Sequence, residues 1–129
     1  MKNLVLAFAL CGHALAAGET FEERLERAKQ VEESTYGKDY IHAMWKAVDA
    51  QTSAAMHDCF RKGTTPDTSA FVLVANVLAD RTLSGVEARP PTPMTQCFVE
   101  RFVHADFPQP PEIFGDTGIP IVLEVSIHP

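Results

Sequence analysis

The sequence predicts an α+β fold with helices packed on one face of a small, mainly antiparallel three-stranded sheet, in the order α-α-β-β-α-β. Three observations lead there. Residues 40–61 and 92–107 place apolar side chains at three- and four-residue steps, the spacing of an amphipathic helix. Residues 70–79, 83–89 and 119–127 are instead β-branched or alternating, and a tight turn joins the first two stretches. Cys59 and Cys97 fall on the two amphipathic helices, on either side of that hairpin.

The first 16 residues stand apart from this domain. Lys2 supplies a positive start, Leu4-Val5-Leu6-Ala7-Phe8-Ala9-Leu10-Cys11 is a short apolar run, and Ala14-Leu15-Ala16 is a small-x-small cleavage site. That three-part pattern is a secretory signal peptide and implies a periplasmic or secreted protein. The apolar run is far below the ~20 residues of a spanning helix, so no membrane span is expected after cleavage. Lipid anchoring at Cys11 is disfavoured, because Leu10 is bulky where lipidation sites carry a small residue.

Losing Lys2 leaves ten Lys and Arg against 17 Asp and Glu, a formal charge of −7. That balance argues against nucleic acid, which demands a basic face, and against docking on an anionic membrane. Losing Cys11 leaves two cysteines, Cys59 and Cys97. An even pair in an exported protein is most simply a disulfide. Closing a loop of 38 positions stabilises a fold by roughly 4 kcal/mol in the chain-entropy model. A domain of this size has only about 5–15 kcal/mol in total.

Residues 17–37 read as a charged N-terminal helix and linker. Thr20 and Glu23 have capping-box spacing. Phe21, Leu25, Ala28 and then Val31 or Glu32 form only a thin apolar stripe in a run of charge. Such a helix is expected at the periphery, loosely docked or partly frayed, its charges forming a solvated face. Ser34 to Lys38 break the pattern, and Asp39 suits the N-cap of the next helix. In that helix Ile41, Met44, Trp45, Val48, Thr52, Ala55, Met56 and Cys59 share a stripe. Met44 and Trp45 read as core rather than as a ligand platform. Arg61 and Lys62 sit at the negative end of the helix dipole, and Gly63 is a natural C-cap.

After the turn-rich segment Thr64 to Ser69, residues 70–79 are apolar on both faces, as in a central strand. Asp80-Arg81-Thr82 make the turn. Residues 83–89 return as a more polar, twisted strand in which Gly85 marks a bulge. Pro90, Pro91 and Pro93 lack the donors to continue a ladder. Thr92 or Thr95 then starts the third helix. Cys97, Phe98, Arg101, Phe102 and Ala105 step along one side of it, and Phe107-Pro108 ends it. Residues 109–118 form a loop. In the last strand Leu123, Val125 and Ile127 alternate with Glu124, Ser126 and His128.

From Asp39 onward the order is helix with Cys59-Phe60 near its end, strand, turn with Asp80, strand with Gly85-Val86, helix with Cys97-Phe98, Phe107-Pro108-Gln109-Pro110-Pro111, strand. Residues 38–129 thereby resemble the C-terminal domain of TonB-type proteins. They are most similar to its cysteine-bearing version in AgmX/PglI-like bacterial envelope proteins. Departures are Thr68-Ser69-Ala70 in place of a Gly-x-Val strand opening, and a turn without Asp-Gly. The chain also carries neither a transmembrane anchor nor the long proline-rich spacer of energy transducers. The resemblance therefore implies the fold and an envelope role, without energy transduction, and brings no catalytic residues.

No catalytic constellation stands out, and the expectation is a protein that is not an enzyme and takes no cofactor. His57-Asp58-Cys59 and His104-Ala105-Asp106 are the only clusters of metal-ligand types, and a disulfide would consume both thiolates. The pair is not a Cys-x-x-Cys redox arrangement, and a nucleophile would have to be free and activated. The TonB-like resemblance implies partner binding at the last strand, Ile121, Val122, Leu123, Glu124, Val125, Ser126 and Ile127, by addition of an extended peptide. The alternative is an edge protected by Pro120 and Glu124, or covered by the N-terminal helix. A second functional class is a small secreted inhibitor or immunity-type protein acting through its loops, Pro90 to Thr92 and Glu112 to Gly118.

Overall fold

A computed structural model describes residues 18–62 and 69–126. The expected signal peptide with Cys11, the connector at 63–68 and the last residues, Ile127 among them, lie outside the described residues. Three α-helices and three strands follow the expected α-α-β-β-α-β order. They are α1 (Phe21–Glu33), α2 (Lys38–Lys62), β1 (Phe71–Val77), β2 (Leu83–Arg89), α3 (Pro93–Phe102) and β3 (Ile119–Val125). A 3-10 segment, Glu112–Thr117, precedes β3.

The sheet is antiparallel throughout, with strand order β2-β1-β3. β1 is central, as its apolarity on both faces predicts. Its register with β3 is unbroken from Phe71↔Val125 to Val77↔Ile119. Its register with β2 slips between Val74↔Glu87 and Asn76↔Ser84, so β2 carries one extra residue. Gly85 lies in that bulge at φ 59°, a left-handed conformation that glycine adopts without a Cβ penalty. The hairpin turn is held by Asp80, whose Oδ1 accepts from the Thr82 amide at 3.0 Å and from its hydroxyl at 2.6 Å.

Alternation along β1 divides the apolar side chains between two clusters. Phe71, Leu73, Ala75 and Val77 join Met44 and Val48 of α2, Phe98 and Phe102 of α3, and Ile119 and Ile121 of β3. Val72 and Val74 point the other way and meet Val122 with Phe21, Leu25 and Ala28 of α1. The expected placement of helices on one face therefore holds for α2 and α3, while α1 takes the opposite face. α1 is docked there, not frayed: Ala28 is fully buried and Phe21 nearly so. The reason is the sheet. A central strand apolar on both faces leaves the second face in water unless something covers it, and three apolar residues on α1 suffice for two short strands. Polar contacts fix the angle. Arg24 donates to the Gly85 carbonyl oxygen at 2.5 Å, and the Arg89 guanidinium lies 4.6 Å above the Phe21 ring.

The helix boundaries follow local chemistry. Thr20 caps α1 by accepting from the Glu23 amide at 3.1 Å. α1 ends at Ser34, whose hydroxyl donates to the Val31 carbonyl at 2.7 Å and accepts from the Gly37 amide at 3.0 Å. A Cβ on Gly37 would collide with that same Val31 carbonyl, so the link into α2 needs glycine. α2 begins at Lys38, which puts Asp39 in its first turn rather than at its N-cap. Thr92 caps α3 by accepting from the Thr95 amide at 3.1 Å, and Pro93 follows at the first helical position.

α3 stops at Phe102, short of the expected Phe107-Pro108 end. The chain turns there because Phe107 is needed in the core. Its ring meets Phe102 edge-on at 5.3 Å. Cys59 and Cys97 form the expected disulfide, with S–S 2.06 Å and Cα–Cα 5.7 Å. Arg101 and Asp58 pair beside it at 3.3 Å. α3 is thus pinned to the last turn of α2, with the hairpin enclosed between them.

Candidate functional site

A three-stranded sheet in the order β2-β1-β3 has two outer edges, and this chain treats them differently. The β2 edge is bulged at Gly85, the carbonyl there is taken by Arg24, and Glu87 and Arg89 pair across the strand end at 2.9 Å. Bulges and charges are the usual means of blunting an edge. The β3 edge has no bulge: seven consecutive residues hold register with β1. Pro120 removes one donor from it, near the start of the strand. α1 lies against this strand: Lys29 pairs with Glu124 at 3.0 Å, and Val31 reaches the α2–α3 cluster.

The seven residues expected to bind a partner fall as follows. Ile121 and Val122 are buried, Leu123 and Val125 are half-buried, and Glu124 and Ser126 are exposed. Ile121, Leu123 and Val125 face the α2–α3 layer, and Val122 faces α1. Ile127 lies outside the described residues. Their side chains are thus largely spent on the two cores.

A cleft of about 340 Å³ opens beside Val122, Leu123 and Glu124. Lys29, Glu32 and Glu33 of α1 line one wall, and Trp45 of α2 lines the other. The Lys29 ammonium pairs with Glu124 at 3.0 Å, and that bond holds the Lys29 pKa above its ordinary value. The Glu32 carboxyl is pushed up, first by burial and then by the nearby Glu124 charge. Trp45 is half-buried and stacks on Phe102, ring centres 6.5 Å apart at 24°. It belongs to the rim of the core and lines the cleft as well.

Lys29, Glu32, Glu33 and Trp45 are the cleft residues that sequence reasoning did not assign to a site. One local signal existed. Glu32 and Glu33 occupy the last turn of α1, which holds no basic side chain, although a helix C-terminus disfavours anions.

His57 is exposed and lies 4.0 Å from Asp58, its own neighbour in the chain. His104 is exposed beyond the end of α3. Among the described residues no group of three or more His, Cys, Asp or Glu side chains gathers where one metal ion could be held. Both cysteines are consumed in the disulfide. Of the suspected loops, Glu112 to Gly118 presents Ile113 to solvent, 65% exposed, which makes it the most exposed large aliphatic side chain described. Pro90 and Pro91 are exposed at the other loop.

Disulfides form and persist in oxidising compartments, so the Cys59–Cys97 bond indicates a non-cytoplasmic protein. Among the described residues no helix is long and apolar enough to cross a membrane. No protein-family model, curated protein or solved structure matches this chain.

Proposed function

We propose that this chain is an exported, non-enzymatic protein of the bacterial cell envelope, with a TonB-C-like fold, that binds a protein or peptide partner by strand addition at β3. One observation carries the reading: β3 is the unbulged outer strand, while β2 is bulged and its Gly85 carbonyl is already engaged. Strand addition draws its affinity from main-chain hydrogen bonds, which is what an edge with buried side chains has to offer. The signal-peptide pattern, the disulfide and the element order from α2 to β3 support export and the TonB-like reading.

The test is a pull-down from an envelope fraction with the purified mature protein, followed by amide mapping with the partner recovered. Perturbed amides at Ile121 to Val125 are the expected outcome. Perturbations confined to Pro90–Thr92 and Glu112–Gly118 would reject strand addition. They would favour instead an inhibitor or immunity-type protein acting through its loops, the reading to which exposed Ile113 lends weight.

A further inference from the structure

The cleft beside β3 has two unlike walls. On the α1 side stand Glu32, Glu33 and Glu124, with a single cation, Lys29, already engaged by Glu124 at 3.0 Å. Among the described residues, neither Glu32 nor Glu33 has an ion-pair partner. The C-terminal end of the α1 dipole adds to their negative potential instead of offsetting it. On the α2 side the wall is the Trp45 ring with Leu123 beside it.

β3 itself sets how a paired chain would meet these walls. Successive side chains of a strand point to opposite faces. Val122 packs toward α1 and Glu124 reaches Lys29 there, whereas Leu123 packs toward α2. A strand laid along this edge continues the same alternation. Every second side chain meets carboxylates, and those between meet an aromatic and an aliphatic surface.

We propose that the segment this edge accepts alternates basic and apolar residues, with Lys or Arg toward Glu32, Glu33 and Glu124, and aliphatic or aromatic side chains toward Trp45 and Leu123. The inference rests on strand addition at β3 and adds to it the chemistry of the partner. Charge complementarity favours this occupant over an acidic one, since a like-charged segment would be repelled at the same carboxylates. The chain's formal charge of −6 also steers a basic segment inward over longer range.

Trp45 is the chain's only tryptophan, so its fluorescence reports on its surroundings, this cleft and the neighbouring hollow at His42, Lys46 and Asp49, and the amide shifts tell the two apart. The probes are an acetylated, amidated heptapeptide alternating Lys and Val, its Glu/Val counterpart, and the Lys/Val peptide N-methylated at alternate amides. Binding is read by Trp45 fluorescence and by amide shifts of Val122 to Val125. The Lys/Val peptide should bind about ten-fold more tightly than the Glu/Val peptide. That preference should shrink several-fold at about 0.5 M salt and in the Glu32→Gln/Glu33→Gln double variant, whose thermal unfolding verifies its fold. Equal binding of both peptides, with shifts at Val122 to Val125, would leave strand addition standing and overturn the basic pattern. Lys/Val binding that survives N-methylation would overturn strand addition and the inference with it. Absence of β3 shifts with either peptide would overturn both.

Discussion

Phe98 has no exposed surface, and its ring centre lies 5.4 Å from that of Phe71 and 5.2 Å from that of Phe102. It joins α3 to the central strand. Truncation to alanine empties a site walled by two other aromatic rings, which cannot collapse without moving α3. Phe98→Ala should therefore cost about 3–5 kcal/mol in urea denaturation. A second residue-scale prediction concerns acid. Asp80 in the hairpin turn is held below the usual carboxylate range, first by the Thr82 hydroxyl and then by the Thr82 amide. A depressed carboxylate contributes stability that is fully present above its unfolded pKa and is lost as pH falls through the folded one. Carboxyl-carbon NMR should show Asp80 titrating below the usual carboxylate range, and Asp80→Asn should remove that part of the acid dependence. Titration within the usual carboxylate range would refute the account.

The layering of elements rests on a few side chains, and α1 is the clearest case. Ala28 is fully buried against Val74 and Val122. A charge there has no partner and no water, so Ala28→Asp should cost at least about 2 kcal/mol. Hydrogen exchange should show α1 amides losing protection while those of β1 keep theirs; unchanged α1 protection would mean that α1 is not held by this contact. α2, the hairpin, α3 and β3 were legible because each carries a strong period in its own residues. Cys59–Cys97 was legible from a count that became even once a signal peptide was set aside. α1's docking was harder to see, because four apolar residues among nine charged or polar ones look like a solvated helix. The information lay in β1, whose apolar residues on both faces demand a second covering layer. The β3 edge could be named from alternation and from the TonB-like resemblance. Its cleft could not, since Glu32, Trp45 and Leu123 are remote in sequence and meet only when α1 and α2 take opposite faces.

At the scale of the molecule, the disulfide ties α2 to α3 within the layer they share. Replacing both Cys59 and Cys97 by alanine should cost up to roughly 4 kcal/mol, from the 38-position loop it closes. The denaturation midpoint should fall, and the unfolding slope should rise as the released loop exposes more surface. An unchanged midpoint would mean that the bond constrains nothing the core does not already hold. The same ring has a mechanical consequence. A partner paired along β3 would load the chain near its C-terminal end, and tension drawn between residues 18 and 126 would pass through Cys59 and Cys97 directly. The hairpin and the first half of α3 lie on a bypassed arc that bears no load. Under tension the oxidised molecule can extend α1, α2 as far as Cys59, and β3, yet the 38 positions within the ring contribute only the short span of the bond. In single-molecule pulling its full contour should be shorter than that of the reduced chain by about 130 Å.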